Sequence, residues 1–499
     1  MLESVLAEHI LQSLDRDLPM PLSRQVYGLL SKLILSGELP AGQKLPASRV
    51  LATDCRVSRN TVMLAYEQLL AEGYVVSLTG SGTFVSDAVP ILNEKEKNDQ
   101  SALIDEGNNW VLSARGADMV CSAQASPQQW QAFVSGVPDV SLFPSHIWLR
   151  LLRKHWRHPK PEFLSYAHGA GYLPLRHALI EHLRLARSVH GTAEQVLLIS
   201  GLHHAISLIA YLLADPGATV WMENPGYWGA STVLKMAGME IIPIEVDEEG
   251  IAPTPEQIAN PPRLIFVTPS HQYPLGHVMS LTRRRMLLEY AAQHGAWIIE
   301  DDYDSEFRFG GQPIASLQGL DQYQRVIYLG TFSKTLFPGM RLGYMVLPKT
   351  LTRYFSTGVT ELYREGRLIE QAVLCDFIKE GHYATHVRRV RTYYARRQTL
   401  LREAIAEGLG EDWPLSNEEA GLHLVLHLPE GVDDVAISKA AQAIDILVRP
   451  LSLYYVKGTA KPGLLFGYAN VPDEQIKPLF MRLVGLIIAS VNAAAALKE

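Results

Sequence analysis

Cysteine is scarce. The chain of 499 residues has three, Cys55, Cys121 and Cys375, far apart and in no metal-ligand spacing. That excludes a disulfide framework and a cysteine-held metal, and it suits a reducing cytoplasm. Charge is also in short supply: charged residues make up 19% of the chain and the net charge is −7. A protein that coats nucleic acid indiscriminately needs the opposite sign, so any such contact must be confined to one basic face. No uninterrupted apolar stretch of membrane-spanning length stands out, and the acidic start, with Glu3 and Glu8, lacks the basic region of a secretory signal. What remains is a cytosolic protein, long enough for two or three domains, with an apolar content of 47% to fill a large core.

The first 86 residues carry their own pattern. Val26, Leu29, Leu30, Leu33 and Ile34 recur at helical spacing, and Gly37 stops the run. A short helix is predicted over Arg49–Cys55. Another comes after Ser58, its N-cap, with Val62, Ala65, Tyr66 and Leu69 as the buried stripe. Tyr74–Leu78 and Thr83–Ser86 read as strands joined through Thr79-Gly80-Ser81-Gly82. Three helices and a hairpin make an α+β winged helix-turn-helix, whose last helix enters a major groove by its N-terminal end. Lys44, Arg49, Arg56 and Arg59 cluster here although the chain is acidic. Arg49 and Arg59 suit phosphate or guanine, Asn60 and Thr61 suit base edges with Ser58 at the helix end that enters the groove, and Gly80 and Gly82 allow close approach of the wing. On the helices alone, a protein-interaction module with solvated charges competes.

This segment resembles the DNA-binding domain of the GntR family of bacterial regulators. The match lies in Leu35-Ser-Gly-Glu-Leu-Pro-Ala-Gly-Gln-Lys-Leu-Pro46, Val57-Ser-Arg-Asn-Thr-Val62, Glu72-Gly73-Tyr74 and Gly80-Ser-Gly-Thr-Phe-Val85. The resemblance implies a double-stranded DNA operator as partner. Residues 87–125 read as a linker, polar over Asn93–Gln100, with Trp110–Met119 partly ordered against the second domain.

From residue 126 to 499, short apolar strands alternate with helices, the pattern of an α/β domain with a largely parallel sheet. Phe133–Asp139 reads as an entry loop. Val196–Ile199, Thr219–Met222, Leu264–Val267, Trp297–Ile299 and Val326–Leu329 each run into a polar or glycine-bearing loop, where ligands gather. The last of these ends in Thr331-Phe-Ser333-Lys334, with Arg341 before a further strand at Leu342–Leu347. Ser-Lys alone is an ordinary surface turn. Close to buried strands, however, a lysine is pushed toward its neutral amine, which condenses with an aldehyde. Ser333 and Arg341 supply a hydroxyl and a cationic fork for a phosphate. Aldehyde plus phosphate suggests pyridoxal 5′-phosphate (PLP).

The other loops answer the remaining needs of that cofactor. Its pyridine nitrogen requires a facing carboxylate, which Asp301 can provide. Tyr303 suits the phenolic oxygen, Tyr227 offers a stacking surface, and Gly201, Leu202 and His203 open a helix whose amides take the phosphate. Singly each has a plain structural explanation, as cap, core residue or turn. Their joint occurrence after successive strands points to one site.

Residues 126–499 resemble the class I and II aminotransferases of PLP fold type I, and the whole chain resembles the MocR-type (GabR-like) branch of the GntR family. Arg150–Arg157, Gly171-Tyr-Leu-Pro-Leu-Arg176, Glu300-Asp-Asp-Tyr-Asp-Ser-Glu-Phe-Arg308 and Ser333-Lys334-Thr-Leu carry that likeness. It implies a C-terminal α+β subdomain, Lys334 as the Schiff-base lysine, Asp301 on the ring nitrogen, Tyr303 on the ring oxygen, Tyr227 stacked, a head-to-tail homodimer and a small-molecule effector: an amine, an amino acid or a B6-related ligand. Three departures are present. Leu464 stands where an arginine for the substrate carboxylate is expected, Gly229 where GabR-like proteins carry arginine, and Tyr273 where aminotransferases carry asparagine. A regulator that senses its ligand is the leading expectation. An active aminotransferase with an appended DNA-binding domain is the alternative.

Overall fold

A computed structural model describes residues 2–78, 80–87, 112–121, 130–167, 169–310, 314–364, 366–416 and 420–496. The chain divides into two compact units, Met1–Ser113 and Ala114–Glu499. The polar run expected at 93–100, Trp110 and Thr79 of the hairpin lie outside the described residues. The helix Ala114–Cys121 belongs to the second unit, where Arg115 donates to the carbonyl of Met236 at 3.2 Å.

In the first unit, helices Leu22–Leu35, Ser48–Asp54 and Arg59–Ala71 precede strands β1 (Val75–Leu78) and β2 (Gly82–Val85). The strands pair antiparallel, Val75 opposite Val85 and Leu78 opposite Gly82. Val26, Leu30, Leu51, Val62, Leu69 and Val75 share one core, so the helical spacing read from the sequence is the spacing that packs. An additional helix, Leu2–Ser13, buries Leu6, Ala7 and Ile10 in the same core. The sequence reading missed it.

The second unit is built on an eight-stranded sheet: β3 (Val196–Ile199), β4 (Thr219–Asn224), β5 (Glu240–Asp247), β6 (Gly250–Ile251), β7 (Leu264–Val267), β8 (Trp297–Asp302), β9 (Val326–Thr331) and β10 (Gly343–Val346). Their spatial order is β3-β10-β9-β8-β7-β4-β5-β6. Strands β9, β8, β7, β4 and β5 pair in parallel, while β10 runs antiparallel between β9 and β3. Helices cover both faces, which is why β3 and β7 are apolar at every position. Successive residues go to opposite layers. Leu198 packs with helices Leu173–Arg187 and Leu368–Lys379, and Leu197 and Ile199 pack with Leu202–Leu213.

A smaller antiparallel sheet ends the chain: β11 (Leu415–Ser416), β12 (His423–His427), β13 (Arg449–Pro450) and β14 (Gly463–Gly467), in the order β11-β12-β14-β13. Helices His382–Leu409, Asp434–Gln442 and Asp473–Ala496 pack against it. Buried Asp434 accepts from the amides of Ser452 and Gly463 at 2.9 and 3.0 Å, pinning the segment between β13 and β14. One expectation needs correction: Asp473–Ala496 is long and apolar enough to cross a membrane by length and composition. In this fold its Ile476, Phe480, Leu483 and Ile487 fill the core of the C-terminal sheet.

Candidate functional site

The carboxyl ends of β3, β4, β7, β8 and β9 open onto a cavity of about 290 Å³. Lys334, Asp301, Tyr303, Tyr227, Leu202, His203, Ser333 and Arg341 all line it. Gly201 adjoins it through Arg341: a Cβ on Gly201 would stand 3.1 Å from Arg341 Nη2. The sequence thus named residues that the fold brings together from separate loops.

Lys334 lies just past β9, and its Nζ donates to the Gly136 carbonyl at 2.7 Å. Burial pulls its pKa below the ordinary lysine value, opposed by the charges of Asp304 and Asp301. An amine so placed is the nucleophile that a Schiff base requires. Asp301, near the end of β8, is buried, and burial with the neighbouring charge of Asp302 holds its pKa well above the carboxylate range. Lys334 opposes that shift, and a cationic ring nitrogen would do so in the same sense.

Tyr303 is kept protonated by burial first and by Asp304 second, so its hydroxyl remains a donor. That hydroxyl lies 2.9 Å from Nδ1 of His271, itself 2.8 Å from Oδ1 of Asp304. Neither His271 nor Asp304 was singled out by the sequence. The signal was a second acidic residue, one position beyond Tyr303. Tyr227 caps the helix Trp228–Met236, and its hydroxyl is 3.0 Å from Nε2 of His203. Gly229 makes that contact possible: a Cβ there would come within 2.5 Å of the Tyr227 hydroxyl and 2.6 Å of His203 Nε2.

One end of the cavity is formed by the start of the helix Leu202–Leu213, capped by Gly201 at φ 102°, a conformation that glycine adopts without strain. Arg341 sits left-handed at φ 49° and donates to the Ser200 carbonyl at 3.2 Å, holding its guanidinium at the helix start. Ser333 is fixed through its amide, which donates to Thr331 Oγ1 at 3.1 Å. Helix amides, a hydroxyl and a guanidinium, opposite a lysine and a buried carboxylate, match the donor set of PLP.

Ser135, Gly136, Val137, Trp228, Thr331, Leu422, His423 and Arg449 also line the cavity. Most come from segments that the sequence left as loop or core. His423 is buried and pushed down to about 3, chiefly by burial, and stays neutral; its Nε2 donates to the Pro274 carbonyl at 2.9 Å. Leu464 corrects the expected site of the missing arginine. It packs in the C-terminal core, whereas its neighbour Leu465 faces Tyr454, Trp228 and Tyr273 beside the cavity. Two cations are near in sequence: Arg449 lines the cavity and Lys457 is exposed.

The first unit carries the second site. Ser58 caps the helix Arg59–Ala71, its side chain accepting from the Thr61 amide at 3.1 Å. Arg49, Ser58, Arg59 and Asn60 are exposed, and Thr61 is half-buried. Lys44 belongs to the wing rather than to that helix: it bridges to Phe84 of β2 and its stem lies against Gly82. Gly80 and Gly82 are exposed beside it.

Comparison with known proteins fits both units. Residues 22–85 match the gntR family of bacterial regulatory proteins, and residues 138–483 match aminotransferase class I and II. The probable rhizopine catabolism regulatory protein MocR of Rhizobium meliloti is 38% identical over 468 residues, 93% of each chain. The chain belongs to the MocR-type regulators. The HTH-type pyridoxine biosynthesis transcriptional regulator PdxR of Corynebacterium glutamicum is 28% identical over 92% of this chain and 94% of its own. Among solved structures, the multiple substrate aminotransferase of Thermococcus profundus superposes with a TM-score of 0.68 at 24% identity, covering 79% of this chain and all of that one. That likeness shows the fold. The aminotransferase class I and II match over residues 138–483, taken with the donor set of the cavity, makes PLP the cofactor of this MocR-type chain.

Proposed function

We propose that this protein is a DNA-binding transcriptional regulator that senses a small amine, amino acid or B6-related ligand in its PLP cavity. One observation carries the reading: a single chain joins an exposed, Ser58-capped recognition helix to a cavity holding Lys334, Asp301 and Arg341. When bound, PLP supplies an aldehyde and an electron-withdrawing ring. The chain supplies the rest. Lys334 holds the aldehyde carbon, Asp301 the ring nitrogen, Tyr303 the ring oxygen and Tyr227 one ring face. Gly201, Leu202, His203, Ser333 and Arg341 hold the phosphate. Arg49, Ser58, Arg59, Asn60 and Thr61 contact an operator, with Lys44, Gly80 and Gly82 at the wing. A cytoplasmic head-to-tail homodimer belongs to this reading and rests on the family resemblance.

The completeness of the cofactor constellation supports a second reading, an aminotransferase with an appended DNA-binding domain. The deciding experiment selects duplex DNA from a random pool with the full-length PLP-loaded protein. It then measures affinity for the selected site with and without candidate amines. Enrichment of one sequence, with affinity altered by a ligand, is the expected result. Equal affinity for all sequences, together with rapid amino-acid turnover, would establish the second reading.

A further inference from the structure

The edge of the C-terminal sheet places a cation where the neighbouring strand has none. Strand β13 pairs antiparallel with β14, Arg449 opposite Leu465 and Pro450 opposite Leu464. Residues directly opposite share a face, and successive residues alternate. Leu465 packs with Tyr454, Val425 and Leu451, against Trp228 and Tyr273, on the side of the cavity. Arg449 therefore projects to that same side. Its guanidinium lies over the indole ring of Trp228, 5.6 Å from the centroid, and lines the cavity with Lys334 and Tyr227.

Two guanidiniums thus line one cavity, and their surroundings divide the work. Arg341 is held at the start of the helix Leu202–Leu213 by the Ser200 carbonyl, at the phosphate end. Arg449 comes from a different sheet and sits among aromatic rings. Stacking on an indole fixes the plane of a guanidinium, and with it the direction of its N–H edge. Such an edge matches a carboxylate, which accepts two parallel hydrogen bonds. Around it Leu422 and Leu465 are apolar, so a carboxylate without that partner would be costly to bury there.

We propose that Arg449 is the carboxylate-recognising residue of the effector pocket, and that the effector is a primary amine bearing a carboxylate, its amine toward Lys334 and its carboxylate on Arg449. This rests on the proposed cofactor site. It narrows that reading from amines in general to amino acids, and it assigns discrimination to a residue on β13 rather than β14.

The test uses the full-length PLP-loaded protein and matched ligand pairs that differ by the carboxylate: L-alanine with ethylamine, L-phenylalanine with phenethylamine, 4-aminobutanoate with propylamine, and L-lysine with cadaverine. Affinity is read from the change in the visible absorption band and from calorimetry. In the wild type, the acid of at least one pair binds about tenfold or more tightly than its amine, the gain of a charge-assisted pair. Arg449→Gln brings that ratio close to one. Absence of any preference in the wild type, or a preference that survives in Arg449→Gln, overturns the assignment. Should Arg449→Gln lose its resting band, Trp228→Leu, which removes the surface beneath the guanidinium, takes its place; an unchanged ratio there overturns the proposal equally. A wild type without any visible band would instead refute the cofactor-site reading, so the two failures are told apart.

Discussion

Lys334 Nζ donates to the carbonyl oxygen of Gly136 at 2.7 Å, across 198 positions of sequence. Gly136 has φ 74°, and a Cβ there would lie 2.9 Å from the same nitrogen. The loop at 133–139 therefore does more than lead into the domain. It holds the amine in place with an acceptor that leaves the nitrogen its lone pair when neutral.

Lys334→Ala removes the visible absorption of the purified protein while leaving the fold assembled, because among the described residues lining the cavity Lys334 is the one lysine. Absorption spectra and circular dichroism check both halves. A retained band in the variant would move the assignment to another lysine.

Asp301→Asn keeps the lysine linkage, weakens cofactor binding and changes the visible spectrum. The carboxylate is buried beside Asp302, and only a cationic partner offsets that cost. Dialysis against buffer followed by spectroscopy measures the loss. An unaltered spectrum and affinity would place a different carboxylate at the ring.

Arg49→Ala and Arg59→Ala each weaken operator binding, by about 1–3 kcal/mol where the contact is bidentate to guanine. Cofactor content stays the same, since neither residue belongs to the unit that holds the cavity. Fluorescence anisotropy with labelled duplex gives the affinities. Normal binding by both variants would return these cations to the role of a solvated face.

Stability at acid pH depends on His423. Its pKa in the fold is pushed down to about 3 by burial, against an ordinary 6.5, so below pH 6.5 the unfolded chain takes up a proton that the native state refuses. Its effect on stability is absent above pH 6.5 and becomes destabilising as pH falls from there toward 3. His423→Gln removes this contribution, and the difference between variant and wild type changes by about 1.4 kcal/mol per pH unit in that window. Denaturant titrations at several pH values test it; parallel curves for the two proteins would contradict it.

Transamination of common α-amino acids is slow, below about one turnover per second, which ordinary enzymes exceed. Positioning is a large share of rate enhancement. The strand expected to supply a carboxylate-holding arginine presents Leu464 to the core and Leu465 to the cavity side. Arg449, one strand over, would hold a carboxylate at a different place. Product assays with a keto-acid acceptor decide, and rapid turnover would make this an aminotransferase that also binds DNA.

What the sequence determined by itself is local. Apolar spacing placed the helix ending at Leu35 and the cap at Ser58, because 3.6-residue periodicity and a hydroxyl before a helix are properties of neighbouring residues. Apolar runs located β3 and β7 to the residue, since strands buried on both faces tolerate nothing else. Lys334, Asp301 and Arg341 were legible because each closes, follows or precedes such a run. Only the tertiary structure decided the rest. The first helix, Leu2–Ser13, is stabilised by a core assembled from later segments. Which of Leu464 and Leu465 faces the cavity side depends on the pairing of β14 with β12 and β13, a one-residue register that inverts every side chain. The partners Gly136, His271 and Arg449 reach the site from distant parts of the chain. No local pattern encodes such a meeting, because it is fixed by how sheets and loops close on one another.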